Sequence, residues 1–112
     1  MMKKFLIHMH TDAYSNSEAL EKQEFALALA AFAQPVALLF SGAGVQQLMD
    51  LPCPNNCKQF AKAYDALDLF EINDVYVHRP SAQQYGAIDR ISIAVEYVDD
   101  INSILPNYEV II

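Results

Sequence analysis

Short apolar runs alternate with segments of helical periodicity along the chain. The apolar runs are nearly continuous, as in strands that are buried on both faces of a sheet. They are Phe5–Met9, Val36–Phe40, Val75–Val77, Ile91–Val95 and Val110–Ile112. The resulting order, βαβααβαβαβ, predicts an α/β fold: a three-layer, mostly parallel five-stranded sheet with helices on both faces.

Capping and breaking residues place the predicted helices between these strands. Ser15–Glu18 reads S-N-S-E, a capping-box pattern, and Pro35 ends the helix that follows, at about Ala33. The many alanines of this helix would let it lie close to the sheet, and its larger apolar residues fall near one face. They are Leu20, Phe25, Leu29 and Phe32. Further helices are predicted at Val45–Asp50, after the cap Asn56, and after the cap Asp99 or Asp100.

The chain contains more apolar residues than a domain of its size needs. Its 112 residues correspond to a single domain, residues 1–112, and 54% of them are hydrophobic. We therefore expect an oligomer. The predicted interface consists of apolar residues in Leu48–Phe70 and the edge of the third strand. It includes tyrosines, a residue type enriched at interfaces; they are Tyr64, Tyr76 and Tyr85.

Charge and hydropathy exclude two classes of partner. Seven basic and fourteen acidic residues give a net charge of −7, so we expect no direct contact with nucleic acid. No stretch is long enough to span a membrane, and His8, His10 and Asp12 interrupt the N-terminal apolar run, which lacks the cleavage site of a secretory signal. The expectation is a cytoplasmic protein without membrane contact.

Cys53 and Cys57 are the two cysteines of the chain, in the sequence C-P-N-N-C. Two nearby thiols can exchange a disulfide, bind a metal or carry a persulfide. The spacing is not C-x-x-C, however, and no second pair or histidine motif completes a metal site. Two ordinary cysteines flanking a loop are therefore the favoured interpretation, and we predict no metal and no cofactor.

Histidines and a serine stand near the ends of predicted strands, where α/β proteins place their sites. His8 and His10 alternate along the first strand, so their side chains share one face, and Asp12 follows them. Ser41 follows the second strand and His78 the third. We expect the carboxyl edge of the sheet to gather His10, Ser41 and His78 into one polar depression. Hydrogen bonding that merely caps the strand ends is the commoner role of such residues.

The turn Ser41-Gly42-Ala43-Gly44 and the residue Arg79 are further candidate binding groups. The turn matches neither a Walker loop nor a full dinucleotide fingerprint, so a tight strand-to-helix turn is favoured over a small-ligand or nucleotide site. Arg79 and the predicted helix start beside it could face an anion. A plain surface position for Arg79 is equally compatible with the sequence.

Three segments, taken together, resemble the DsrE/DsrF/DsrH family over nearly the whole chain. They are A-L-L-F-S-G-A-G-V-Q-Q-L-M at 37–49, F-A-K-A-Y-D-A-L-D-L-F-E-I-N-D-V-Y-V at 60–77 and N-Y-E-V-I-I at 107–112. The G-V-x-x-L motif of the family is here Gly44–Leu48. The resemblance is closest to the DsrF or TusC branch.

This resemblance implies a DsrE-like fold and a heterohexamer with related DsrE/TusD-like and DsrH/TusB-like subunits. Such complexes pass persulfide sulfur toward 2-thiolation of the tRNA wobble uridine or serve sulfur oxidation. The sulfur-carrying subunit has its cysteine directly after a V-x-V strand. Here His78 follows Val75-Tyr76-Val77, and a histidine cannot hold a persulfide.

The sequence therefore predicts a non-catalytic subunit of a sulfur-relay complex. One alternative is a thiol-active sulfur-transfer protein that uses Cys53 and Cys57. The other is a small-ligand-binding module at the Ser41–Gly44 turn.

Overall fold

Five parallel strands form one sheet in the computed structural model, which describes residues 4–12, 17–49, 64, 67, 71–91 and 93–112. The strands are β1 (Phe5–Met9), β2 (Val36–Phe40), β3 (Asp74–His78), β4 (Glu96–Val98) and β5 (Val110–Ile111). Their order across the sheet is β4-β3-β2-β1-β5, and every pairing between them is parallel. Each described connection therefore crosses from the carboxyl edge of the sheet back to its amino edge before the next strand begins.

The helical segments lie on both faces of this sheet. They are α1 (Glu18–Ala31), a 3-10 segment (Gly42–Leu48), α2 (Arg79–Gln84) and two 3-10 turns (Ile101–Ser103 and Leu105–Asn107). The larger core cluster contains residues of both α-helices and the first 3-10 segment, so we call its side of the sheet the helical face. The smaller cluster, on the opposite face, is formed by Leu6, Ala37, Leu39 and Ile104. The predicted α/β architecture is confirmed, although in the described part of the chain short 3-10 turns alone cover the opposite face.

Helix α1 places its small residues inward. Ala19 and Ala26 are buried against the sheet, whereas Phe25 is 42% exposed and Phe32 is 78% exposed. Of the larger apolar residues predicted on the inner face, Leu29 packs against the core, whereas Leu20, Phe25 and Phe32 are exposed. Alanine permits close approach of a helix to a sheet. The helix begins at Glu18, after Ser17, and Ser15 of the predicted capping box lies outside the described residues. In the described part of the chain, no helix is both long enough and apolar enough to cross a membrane.

The fourth strand was misplaced by the sequence prediction. The apolar run Ile91–Val95 does not form it, because β4 begins at Glu96 and pairs with β3 through Tyr76 and Glu96. Ile91 instead makes an isolated antiparallel bridge with Met49, and Ile91, Ile93 and Val95 pack against the larger core cluster. These three side chains are partly buried, and their apolar pattern alone does not distinguish such covering residues from a strand.

The predicted interface is also corrected in two respects. Strand β3 lies between β2 and β4, so it has no free edge. Tyr64 is 2% exposed and its ring packs edge-on against Phe40, so it belongs to the core. Tyr76 is half-buried, and its hydroxyl accepts a hydrogen bond from Tyr108 at 3.1 Å. Most of the segment Leu48–Phe70 lies outside the described residues.

Gly44 brings the 3-10 segment into contact with the backbone at the end of β1. A Cβ on Gly44 would overlap the carbonyl group of Met9 and lie 2.9 Å from the backbone nitrogen of His10. These atoms belong to the backbone and cannot move aside as a flexible side chain would. Gly42 is required for a different reason, because its φ of +53° lies in the left-handed region.

We expect Gly44→Ala to lower the free energy of unfolding by at least about 3 kcal/mol, because the new methyl group overlaps a fixed carbonyl. Gly86→Ala is the matched control: Gly86 has a φ of +65°, but a Cβ there would meet nothing within 4 Å. Its cost should be about 1–2 kcal/mol, from backbone strain alone. Urea unfolding followed by circular dichroism measures both. Equal losses in the two variants would contradict the close approach.

Candidate functional site

The carboxyl ends of β1, β2 and β3 meet at one edge of the sheet. Met9 pairs with Phe40, and Phe40 pairs with Val77. The next residues in the chain therefore leave the three strands side by side. Strand side chains alternate, so His8, Ser41 and His78 fall on the opposite face, away from the larger core cluster. All three histidines of the chain lie within this region.

Ser41 makes its side-chain contact with His8. The Nε2 atom of His8 and the Oγ atom of Ser41 are 2.5 Å apart, and Ser41 is buried. The sequence prediction grouped His10, Ser41 and His78 at this edge without naming a contact between any two of them. Position 10 is level with position 41 in the strand register, but the described side-chain contact of Ser41 is with His8.

Ser81 joins the end of β3 to the turn after β2. Its Oγ atom accepts a hydrogen bond from the backbone nitrogen of Gly42 at 2.8 Å and lies 2.7 Å from Nδ1 of His78. Ser81 is buried in the first turn of α2. It was not among the predicted site residues. The signal for it in the sequence is a hydroxyl residue three positions after a strand-end histidine, where the first turn of a helix returns toward the strand.

His10 lies at the outer side of the same edge. Its Nε2 atom is 3.5 Å from a carboxylate oxygen of Glu18, and its ring centroid is 5.4 Å from that of His8. Lys22 contacts the same Glu18 oxygen at 3.4 Å and donates to the backbone oxygen of His8 at 2.9 Å. Helix α1 therefore places one acidic side chain, Glu18, and one basic side chain, Lys22, at the end of β1. Asp12 is half-buried in the loop that follows.

A buried polar pair holds the loop that carries His10. Gln47 is 1% exposed, and its side-chain nitrogen donates to the backbone oxygen of Thr11 at 2.7 Å. The hydroxyl of Tyr64 donates to the side-chain oxygen of Gln47 at 2.7 Å. Burial raises the pKa of the Tyr64 phenol, so it remains a neutral donor. No signal in the sequence identifies this pair, because Gln47 resembles any polar residue of a short helix.

Arg79 has two contacts with the end of β4. Its Nε atom lies 3.1 Å from Oδ1 of Asp99, and its guanidinium carbon lies 5.3 Å from the ring centroid of Tyr97. These contacts tie the start of α2 to the neighbouring strand, which gives Arg79 a structural role. Anion binding by Arg79 stays a prediction.

The glycine turn also has backbone roles. The N–H of Gly42 donates to Ser81, and Gly44 packs on β1.

A cavity of about 350 Å³ lies at the opposite, amino edge of the sheet, and its lining includes Lys4, Asp74 and Tyr108. Cys53 and Cys57 lie outside the described residues. Within the described ranges, no three histidine, cysteine, aspartate or glutamate residues are arranged to hold a metal ion.

The electrostatic environment favours the neutral form of His8. Burial is the largest cause that lowers its pKa, and the positive charges of His10 and Lys22 lower it further. The edge therefore presents imidazole, hydroxyl and amide groups. Such groups donate and accept hydrogen bonds.

Because the pKa of His8 is lower in the folded chain, the unfolded chain binds a proton at higher pH. This contribution to stability is complete above about pH 6.5 and is lost as the pH falls through the folded-state pKa, below that value. We expect the free energy of unfolding to fall between pH 7.5 and pH 5.5, and to fall less in His8→Gln. Urea unfolding at the two pH values tests this. An equal fall in the two proteins would be evidence against a lowered pKa.

Comparison with known proteins agrees with the fold. The model of the DsrE/DsrF-like family matches residues 3–109. A TusC homolog of Pseudomonas aeruginosa is 32% identical over 117 residues, covering 100% of this chain and 98% of that protein. A TusC homolog of Vibrio vulnificus is 32% identical over 101 residues, covering 88% and 86%. The crystal structure of the ychN protein from E. coli superposes with a TM-score of 0.82 at 12% identity, covering 99% of this chain and 98% of that one.

The fold, the family match over residues 3–109 and the full-length similarity to TusC homologs lead to one assignment. The chain belongs to the DsrE/DsrF-like family, in its DsrF/TusC branch.

Proposed function

We propose that this chain is the TusC-like subunit of a sulfur-relay complex and that it does not itself carry the sulfur. Its partners would be a DsrE/TusD-like and a DsrH/TusB-like chain. The observation that carries the second part is the imidazole of His78 at the end of β3, hydrogen bonded to Ser81. A thiolate accepts sulfane sulfur by exchange, and an imidazole does not.

The chemistry of a relay explains what such a subunit can contribute. An acceptor thiolate, R′–S⁻, attacks the terminal sulfur of a donor persulfide, R–S–SH. The products are R′–S–SH and the thiolate R–S⁻, so one sulfur–sulfur bond forms as another breaks. Both reacting groups are cysteines. The groups at the carboxyl edge of this chain can hydrogen bond to those sulfur atoms, which positions them without replacing either cysteine.

The exposed apolar residues support assembly with other chains. Phe25 of α1 is exposed, as are Phe32, directly after α1, and Ile111 of the edge strand β5. Phe25, Lys22 and Ile112 line one shallow groove, and the backbone oxygen of Ile112 accepts from the nitrogen of His8. A subunit seated there would adjoin the carboxyl edge. These residues replace Leu48–Phe70 and β3 as the described candidates for an interface.

The net charge of −7 supports a place early in the relay. A chain with this charge repels a phosphate backbone, so contact with RNA would be left to a later partner. We propose that the relay ends either in 2-thiolation of the tRNA wobble uridine or in sulfur oxidation.

Affinity purification of the tagged chain from its native cell tests the proposed assembly. Two small related chains should co-purify, because apolar contacts of this kind persist through washing at high salt. Mass spectrometry identifies them, and a tagged unrelated protein of similar charge is the control. A clean monomer would contradict the subunit assignment.

Sulfur loading tests the proposed absence of a carrier cysteine. The isolated chain is incubated with a cysteine desulfurase, its substrate and the intermediate carrier, and is then analysed by mass spectrometry. We expect no stable added sulfur on the wild-type chain. In a Cys53→Ser, Cys57→Ser background, His78→Cys should gain one sulfur atom at position 78, because it restores a thiol after β3. Sulfur on Cys53 or Cys57 of the wild type, lost together with relay activity when they are mutated, would favour the thiol-active alternative.

A further inference from the structure

The buried hydroxyl of Ser81 has two neighbours with different hydrogen-bonding abilities. The backbone N–H of Gly42 can only donate, so Oγ of Ser81 must accept from it. The hydroxyl hydrogen of Ser81 then needs an acceptor, because Ser81 is only 6% exposed. Within the described part of the chain, Nδ1 of His78, at 2.7 Å, is the acceptor in reach. Ser81 therefore donates to Nδ1.

This hydrogen bond fixes which nitrogen of the His78 ring carries the hydrogen. A neutral imidazole has one N–H and one bare nitrogen. Since Nδ1 accepts from Ser81, the hydrogen of the neutral ring lies on Nε2. In the protonated ring both nitrogens carry hydrogens. Nε2 is thus a donor in either form, and none of the described residues accepts from it.

The opposite tautomer would give different chemistry. A bare Nε2 could act as a base and remove the proton of an approaching thiol. An Nε2–H cannot accept that proton, but it can donate to sulfur that is already anionic. A hydrogen bond to an anion is stronger than one to a neutral acceptor. The geometry therefore selects a group that recognises a thiolate and stabilises it.

Hydrogen-bond donors gather at the same edge. All three histidines lie there, together with Lys22, which is paired with Glu18, and Arg79, which is paired with Asp99. His78 is half-buried, so its ring is accessible to a partner. Its Nδ1 atom is held by the hydrogen bond with the buried Ser81.

We propose that Nε2–H of His78 donates a hydrogen bond to the anionic sulfur of a partner subunit's relay cysteine, as thiolate or persulfide. This inference rests on the proposed function as a relay subunit and names the chemistry of the contact. Ser81 is a positioning residue, because it acts through the His78 ring. The hydrogen bond lowers the pKa of the partner thiol and thereby increases its thiolate fraction.

The isolated chain tests the tautomer. Long-range proton–nitrogen NMR correlations of the histidine rings, recorded where His78 is neutral, should show hydrogen on Nε2. Ser81→Ala should give a mixture of tautomers, and Ser81→Thr, which keeps the hydroxyl, should restore the single form. Ser41→Ala is the matched control, since Ser41 contacts His8 and not His78. Hydrogen on Nδ1 in the wild-type chain would overturn the proposal.

The reconstituted three-chain complex tests the contact with sulfur. The rate of alkylation of the partner cysteine as a function of pH gives the pKa of its thiol. His78→Phe removes the donor and should raise that pKa by about one unit, on the order of a tenfold loss of thiolate below the titration. His78→Gln keeps an N–H donor and should recover part of the effect. An intact complex with an unchanged thiol pKa in His78→Phe would overturn this inference alone. Failure of the wild-type chains to assemble would overturn the proposed function as well.

Discussion

The parallel register of β1, β2 and β3 is the constraint on which the site depends. Met9, Phe40 and Val77 stand level across the three strands and are buried on the helical face. A shift of β3 by one residue would turn Val77 out of the core and bring His78 into it. Burial of these apolar side chains therefore fixes the placement of His78, although His78 contributes little to that burial itself.

Satisfying one partly buried backbone group determines a chemical property of the site. The turn after β2 leaves the N–H of Gly42 without a strand partner, and an N–H that is shielded from water and unpaired is costly. Ser81 accepts this hydrogen bond and passes its own hydrogen to His78. The tautomer of the ring thus follows from the path of the backbone. Gly44 belongs to the same arrangement, because its missing side chain lets the turn pack against Met9.

The sequence predicted those parts of the fold that are governed by local apolar content. Strands β1, β2 and β3 were found because buried parallel strands are continuous apolar runs. The same rule misplaced β4, since Ile91, Ile93 and Val95 cover the core and the paired strand begins only at Glu96. The free edge assigned to β3 was wrong for a different reason. Strand order arises from contacts between distant segments. The pairing of β4 with the outer edge of β3 is such a contact, and the apolar pattern within either segment carries no information about it.

Residue type and spacing predicted which edge of the sheet would carry the polar groups, but not how they would pair. Strand ends alone suggested His10, Ser41 and His78. The described contacts are His8 with Ser41, and His78 with Ser81. The first pairing depends on the reach of each side chain across twisted strands, which register alone does not give. The second depends on α2 beginning directly after β3, because only then does a residue three positions later return to the strand end. A hydroxyl at that position is therefore a more informative signal in this chain than the glycine turn or the arginine beside it, since it determines the hydrogen-bonding role of the histidine.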